Sequence, residues 1–281
     1  MSTHAAMEKR MGRAKKVLAG SKRLFDIRDA ADFSERLPAV QRALYLLFNE
    51  GYHGASAESA VRVELCQEAM RLTALLLQHT FAATPATYAL AALMCFHAAR
   101  LPARVDAAGD LRSLFEQDRS RWDAQLVGEG EQLMVRASSG ATVTVYHVEA
   151  AIAAVHAHAH NIDDTDWAMI VSLYDTLMTI HPSPVVALNR AIAIAQCEGP
   201  ERGLEAIATI DDRDRLAMYP FYSAALGELE LRCGRSDRAH AHFQAALALA
   251  RNPMERRFLR HRAEACESDG ITPMTPGSNL R

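Results

Sequence analysis

From Trp167 to Pro253 the sequence passes through one pattern more than once, and that repetition constrains the fold more than any other feature. Trp167, Ile170, Val171, Tyr174, Leu177 and Met178 form an apolar helix face that stops before Pro182. A helix pair follows at 185–196 and 201–210, then another at 222–233 and 236–251 that ends near Pro253. Pro182 and Pro253 stand about two repeats of 34 residues apart, the tetratricopeptide period. In the last pair Leu226, Gly227, Gly234, Ala239, Phe243 and Ala246 occupy tetratricopeptide offsets. Small residues let paired helices approach, the aromatic fills the gap toward the next pair, and each hairpin hides its apolar face on its neighbour.

Helical periodicity also runs upstream. Pro38 is expected to open a helix, where its missing N–H costs nothing. Val40, Ala43, Leu44, Leu47 and Phe48 give that helix an amphipathic stripe. Gly51, in a left-handed turn, and Gly54 are expected to end it. Val61, Leu65, Ala69, Leu72 and Leu76 share the next helix face. Thr84-Pro85 caps a helix that is apolar nearly all round from Tyr88 to Phe96, which predicts a central position, and Leu101-Pro102 breaks it. Residues 103–117 lack periodicity and read as an ordered loop. Ser120-x-x-Asp123 has capping-box spacing and predicts a helix start, with the helix running to about Ala137. A turn at 138–140 and an Ala-rich helix from Val148 to His158 follow.

The fold expected is therefore all-α. A helical bundle over 38–160 continues into tetratricopeptide-like antiparallel helix hairpins over 161–266. A short basic helix at 1–19, with Met7, Met11, Ala14 and Leu18 along one side, a polar linker at 20–37 and a loose tail at 267–281 complete it. Abundant Ala and sparse β-branched residues favour helix over strand. The five cysteines show no paired spacing, which reads as a reduced, cytoplasmic chain with neither disulfide nor zinc site. The N-terminus is polar and basic where a signal peptide needs an apolar core, and the longest apolar run, Ala89 to Phe96, is too short to cross a bilayer.

The net charge of −3 conceals an asymmetry. Residues 1–28 hold eight Lys or Arg against Glu8 and Asp26, a balance of +6, and all four lysines of the chain lie there. The remainder carries −9. The body is thus a poor binder of nucleic acid, and Lys9, Arg10, Arg13, Lys15 and Lys16 are the candidate contacts for DNA phosphates.

Several strings resemble, in order, one family. Ala5–Lys16 looks like the end of the recognition segment of sigma region 4. Leu37-Pro38-Ala39-Val40, Leu46–Tyr52, Ala99–Arg104, Glu116–Asp123, Asp164–Trp167 and Pro182–Ala191 resemble the C-terminal extension of one group of ECF (extracytoplasmic function) RNA polymerase sigma factors. The resemblance runs from about His4 to Arg262. It implies a helical, tetratricopeptide-like domain that modulates a sigma factor in bacterial transcription initiation. Its partners would be core RNA polymerase and sigma regions 2 and 4. Region 2 and the first helices of region 4 have no counterpart here, and a lone recognition helix lacks a scaffold to hold it in the major groove. Promoter DNA is therefore expected as a partner only in the context of a complete sigma factor. The competing expectation is a stand-alone tetratricopeptide-like adaptor that grips a peptide or protein.

Asn49, Glu50, Tyr52, Asp118, Arg119, Arg121, Trp122 and Asp123 are the candidate residues for partner contact or for a structural knot, with Arg forks pairing carboxylates across a helix start and Trp packed beneath. Glu50 and Tyr52 are expected to face the 103–123 segment. Of His156, His158 and His160, only the first and last share a helical face, and no HExxH glutamate accompanies them, so a metal site is not expected. Arg256, Arg257, Arg260 and Arg262 suit an acidic partner or the macrodipole of the last helix. No catalytic residue and no cofactor is expected; an enzyme reading would need a deep pocket with perturbed carboxylates near Asp118.

Overall fold

The computed structural model describes residues 4–20, 30–53 and 61–269. These residues are all-α; their only β feature is an isolated bridge between Val105 and Leu111. In chain order the helices are α1 (His4–Gly20), α2 (Ala30–Tyr52), α3 (Val63–Leu77), α4 (Pro85–Ala99), α5 (Leu101–Arg104), α6 (Ala124–Ala137) and α7 (Val145–His158). Then come α8 (Trp167–Ile180), α9 (Pro184–Glu198), α10 (Pro200–Ala208), α11 (Pro220–Arg232), α12 (Ser236–Leu249) and α13 (Pro253–Asp269). The bundle of α2–α7 leads into antiparallel hairpins from α8 onward.

Helix α4 is central, as its all-round apolarity predicts. Every residue from Ala89 to Phe96 is buried. One side packs with Leu44, Phe48 and Tyr52 of α2 and Cys66 and Ala69 of α3; the other packs Leu93 and Phe96 against Ala150 and Ala153 of α7. A Cβ on Gly130 of α6 would lie 2.8 Å from the Phe96 ring, so α6 reaches α4 only because that position is glycine. Apolar packing continues across residue 160: Val148 and Ile152 of α7, Ile170 and Leu177 of α8 and Ala193 of α9 form one cluster. In the last hairpin Gly227 faces the Phe243 ring, and Phe243 joins Leu259 and Ala263 of α13, the small-against-aromatic packing that the repeat offsets anticipate. No helix of the described residues is long and apolar enough to cross a membrane.

Four local expectations need correction. Helix α2 begins at Ala30, so Pro38 sits inside it rather than opening it, and residues 30–37 of the expected linker are helical. The proline forfeits one backbone bond, but Leu37 is buried, Phe33 stacks on His79 at 5.3 Å, and Arg36 grips Asp32 one turn earlier with two bonds of 3.1 Å. Gly51 is not a left-handed cap; positive φ among the described glycines occurs at 109, 199 and 234. It lies in the last turn of α2, where a Cβ would come within 2.8 Å of Arg62 O, Cys66 N and Cys66 Sγ, so it is glycine for close approach to α3. Ser120 does not cap α6. Asp123 does, its Oδ1 accepting from Gln125 N and Leu126 N at 2.9 and 3.1 Å, while Ser120 sits in a 3-10 turn over Arg119–Arg121. Helix α13 runs through Asp269, into the expected tail. The rest of the linker, Gly54 and the tail from 270 lie outside the described residues.

Helix α1 differs from all the others: its side chains from Glu8 to Val17 are exposed. Met11 and Val17 are 55% and 70% exposed, so this stretch buries no apolar face on the body.

The two kinds of glycine give a paired prediction. Gly51→Ala is expected to lower unfolding free energy by about 2 kcal/mol, because backbone atoms must shift to admit the methyl group. Gly128→Ala, in the middle of α6 with open space around it, is expected to raise it by about 0.5 kcal/mol. Urea unfolding of both variants checks the signs.

Candidate functional site

The end of α2, the end of α4, α5, the 105–123 segment and the end of α7 converge on one region, and most of the candidate residues lie there. Helix α4 ends at Ala99, and Arg100 and Arg104 follow one turn apart around α5. Arg104 turns back on α2. Its guanidinium carbon lies 4.1 Å from the Tyr52 ring centroid, Nε donates to Tyr52 O at 3.1 Å, and an Nη stands 2.8 Å from His53 Nδ1. Arg100 is 8% exposed; its Nε donates to Gln117 Oε1 at 3.4 Å and its guanidinium lies 5.4 Å from the Trp122 ring.

Arg119 fastens the far side. It donates to His156 O at 2.9 Å, Ala159 O at 3.0 Å and Thr165 Oγ1 at 3.0 Å. Helix α7 ends there with carbonyls that no further turn satisfies, and the arginine fork caps them while tying them to the turn before α8. Arg256 repeats the device at the end of α12, donating to Leu247 O and Ala250 O at 2.9 and 3.1 Å.

Arginines do tie these segments together, but not by the carboxylate pairing expected of Arg119 and Arg121. They bind carbonyls and rings, not carboxylates: among the described residues no carboxylate lies within ion-pair distance of Arg100, Arg104 or Arg119. The aspartates act as caps. Asp118 Oδ1 accepts from Ser120 N and Oγ at 3.0 and 2.6 Å, and those bonds hold its carboxyl below the usual range. Trp122 is buried beneath the arginines, as expected. Arg121 and Glu50 are exposed, and Tyr52, unlike Glu50, faces the 103–123 segment. Asn49 is part-buried, on the same helix as Tyr45, whose Oη donates to Glu149 Oε1 at 3.4 Å.

Positive charge concentrates here to the exclusion of further protonation. Burial, then Arg100 and Arg119, push His156 down to about 3; burial, then Arg100, hold His97 well below its ordinary value. Both are neutral at pH 7. In this region the buried atoms Tyr52 Oη, His97 Nδ1, Trp122 Nε1 and His156 Nδ1 have no hydrogen-bond partner among the described residues. The three histidines near the end of α7 diverge: His156 meets the Trp167 ring edge-on at 5.3 Å, His158 Nε2 bonds Glu131 Oε1 at 2.7 Å, and His160 is exposed.

Residues 36–138 match a family of unknown function, DUF6596. The match takes in most of α2 and all of α3 through α6, and with them Tyr52, His97, Arg100, Arg104, Arg119 and Trp122, but not His156 or Thr165. Over 270 residues, 96% of this chain, the sequence is 38% identical to an uncharacterized protein of Rhizobium meliloti (strain 1021). The chain covers 63% of that relative's length. No solved structure matches the chain.

Motif and periodicity assign no role to His97, Arg100 or Arg104, although Ala99–Arg104 is one of the strings that carry the resemblance. A signal is nonetheless present: two arginines a helical turn apart directly after a wholly apolar helix have to be buried by whatever that helix is buried by. The arginines of α13 are likewise used internally. Arg262 pairs with Glu228, and Arg257 Nε lies 2.7 Å from Asp110 Oδ1, joining the last helix to the 105–111 loop; Arg260 is exposed.

Arg119→Ala is expected to cost about 2–3 kcal/mol of stability, because it strands two helix-end carbonyls along with Thr165. Arg119→Lys is expected to forfeit most of the same amount, since an ammonium lacks the planar fork; urea unfolding reads both.

The buried histidines also make stability depend on pH. Unfolded histidines protonate near pH 6.5, folded His97 and His156 only far lower, so unfolding takes up protons as pH falls below about 6.5 and stability declines. Glu149, pushed up to about 7 by burial, opposes this because the folded state holds its proton more tightly. Stability is expected to fall from pH 6 to pH 5, and Glu149→Gln is expected to steepen the fall by about one proton, near 1.4 kcal/mol per pH unit. Urea unfolding of parent and variant across that range measures both slopes.

Proposed function

We propose that this chain is the C-terminal, non-promoter-reading portion of an ECF RNA polymerase sigma factor, acting in bacterial transcription initiation through protein contacts. The observation that carries the proposal is the division of the chain into two parts of opposite character. Helix α1 holds Lys9, Arg10, Arg13, Lys15 and Lys16 in solvent, away from the acidic helical body. Its string resembles the end of region 4, and the strings resembling the family's extension follow in order along the body. Within a complete sigma factor the exposed cations would sit against phosphates, and the body would act on regions 2 and 4 or on core polymerase by making different contacts in different arrangements. Glu50, Arg121 and the exposed faces of the hairpins are free to serve such contacts. The Rhizobium meliloti relative has more than a third of its length outside the match, which leaves room for further regions.

The test is co-purification with core RNA polymerase, with this chain alone and with regions 2 and 4 supplied. The joined form is expected to retain polymerase and to bind promoter DNA. Replacing the five α1 cations with Ala is expected to weaken that DNA binding and to lower the slope of log affinity against log salt by about 0.9 for each phosphate no longer neutralised. Retention of polymerase by neither form contradicts the transcription role and favours an adaptor.

A further inference from the structure

A cavity of ≈ 210 Å³ lies where the end of the chain meets its first half, walled by the loop after α5, by α11 and by α13. Leu111, Phe221, Ala224, Phe258 and Leu259 make it mainly apolar, and Arg104, Arg112, His53 and Glu255 supply its polar edge. Phe221 is 45% exposed, so the cavity reaches solvent beside that ring. An apolar cavity of about 150 Å³ accepts one benzene. This one has room for a single ring, or a branched aliphatic chain, together with a group the size of a carboxylate.

The polar edge selects the sign of that group. Arg112 is committed to Asp106, with Nη donating to Oδ2 at 2.8 Å. Arg104 is not committed to any carboxylate among the described residues; its contacts are a ring, a carbonyl and an imidazole nitrogen. Arg100, equally without a carboxylate in ion-pair contact, is near enough for its charge to act on Arg104's. Glu255, on the opposing wall, lies beyond ion-pair distance of Arg104; burial raises its pKa and the Arg104 charge acts the other way. A guanidinium that touches no carboxylate, beside an apolar chamber, is suited to a carboxylate whose body is apolar, because a planar fork binds that group with two parallel bonds.

We propose that this cavity binds a small monocarboxylate with an aromatic or branched aliphatic body, the carboxylate on Arg104 and the body between α11 and α13. The binding chemistry is independent of any role in transcription. The walls come from stretches far apart in the chain, and the Arg257–Asp110 ion pair joins the same loop to the same last helix. Occupancy therefore holds α13 against the bundle, and a ligand that binds only the folded, joined arrangement stabilises it by mass action. Such a ligand would control how the hairpins sit against the bundle, and hence which surface a partner meets.

The test uses the whole chain with benzoate as the probe and benzyl alcohol and acetate as comparisons, read by titration calorimetry and by thermal unfolding. Benzoate is expected to bind saturably at one site and raise Tm. Benzyl alcohol, which lacks the charge, and acetate, which lacks the ring, are expected to bind about tenfold more weakly or less, equivalent to about 1.4 kcal/mol. Ala224→Leu fills the chamber from α11 and is expected to weaken benzoate binding at least about tenfold in a chain that still unfolds cooperatively. Arg104→Gln is expected to weaken benzoate to the level of benzyl alcohol. The proposal is overturned if benzoate shows no saturable binding, if benzyl alcohol binds as well as benzoate, or if Ala224→Leu binds benzoate as the parent does. Because Ala224→Leu leaves Arg104 and its contacts intact, the test stands even if the arginine variant fails to fold.

Discussion

The hydrogen bonds from Arg119 to the carbonyls of His156 and Ala159 are the constraint on which the rest depends. A helix must dispose of its last carbonyls, and α7 does so by borrowing donors from a segment nearly forty residues earlier. That borrowed cap fixes where α7 stops. Through Thr165 it also fixes the turn from which α8 departs, with Asp166 Oδ1 then capping α8 by accepting from Met169 N at 2.9 Å. Since α7, α8 and α9 share one apolar cluster, the angle set at this turn is inherited by the hairpins that follow. Arg256 closes α12 in the same manner, so the array uses one solution at both its first and its last turn.

Binding carbonyls rather than carboxylates has a consequence for charge. A carboxylate would neutralise each guanidinium; a carbonyl satisfies its donors and leaves the charge in place. Arg100, Arg104 and Arg119 thus retain their positive charge within one partly buried region, which adds to the larger effect of burial in keeping the neighbouring histidines neutral. Burying charge without a counter-ion is costly. The structure limits that cost by stacking the guanidiniums on Tyr52 and Trp122, whose ring faces attract cations. The charge kept at Arg104 underlies the carboxylate preference proposed for the adjoining cavity.

Elements with strong periodicity are legible in the sequence. The central position of α4 follows from its unbroken apolar run, and the Gly227–Phe243 contact follows from repeat spacing, because both are set by backbone period and side-chain size alone. Position-specific geometry is less legible. Pro38 resembles a helix start because nothing local reveals that Leu37 and Phe33 are held by distant partners. Gly51 resembles a cap because close approach to α3 and a left-handed turn both demand glycine. Ser120 and Asp123 both suit a cap, and only the course of the preceding chain decides between them. At the knot, residue types are readable but partners are not: an arginine beside aspartates suggests ion pairs, whereas the donors reach helix-end carbonyls far along the chain. Arg104 and the cavity it borders need the fold, since the opposing walls are contributed by residues more than a hundred positions apart.

Hydrogen exchange resolved by residue, comparing the parent with Arg119→Ala, tests the central claim most directly. If Arg119 joins the bundle to the hairpins, the variant loses protection together in the last turn of α7 and the first turn of α8, while α2 to α4 keep theirs. Loss confined to residues 118–123, with both helix ends as protected as in the parent, would contradict the account.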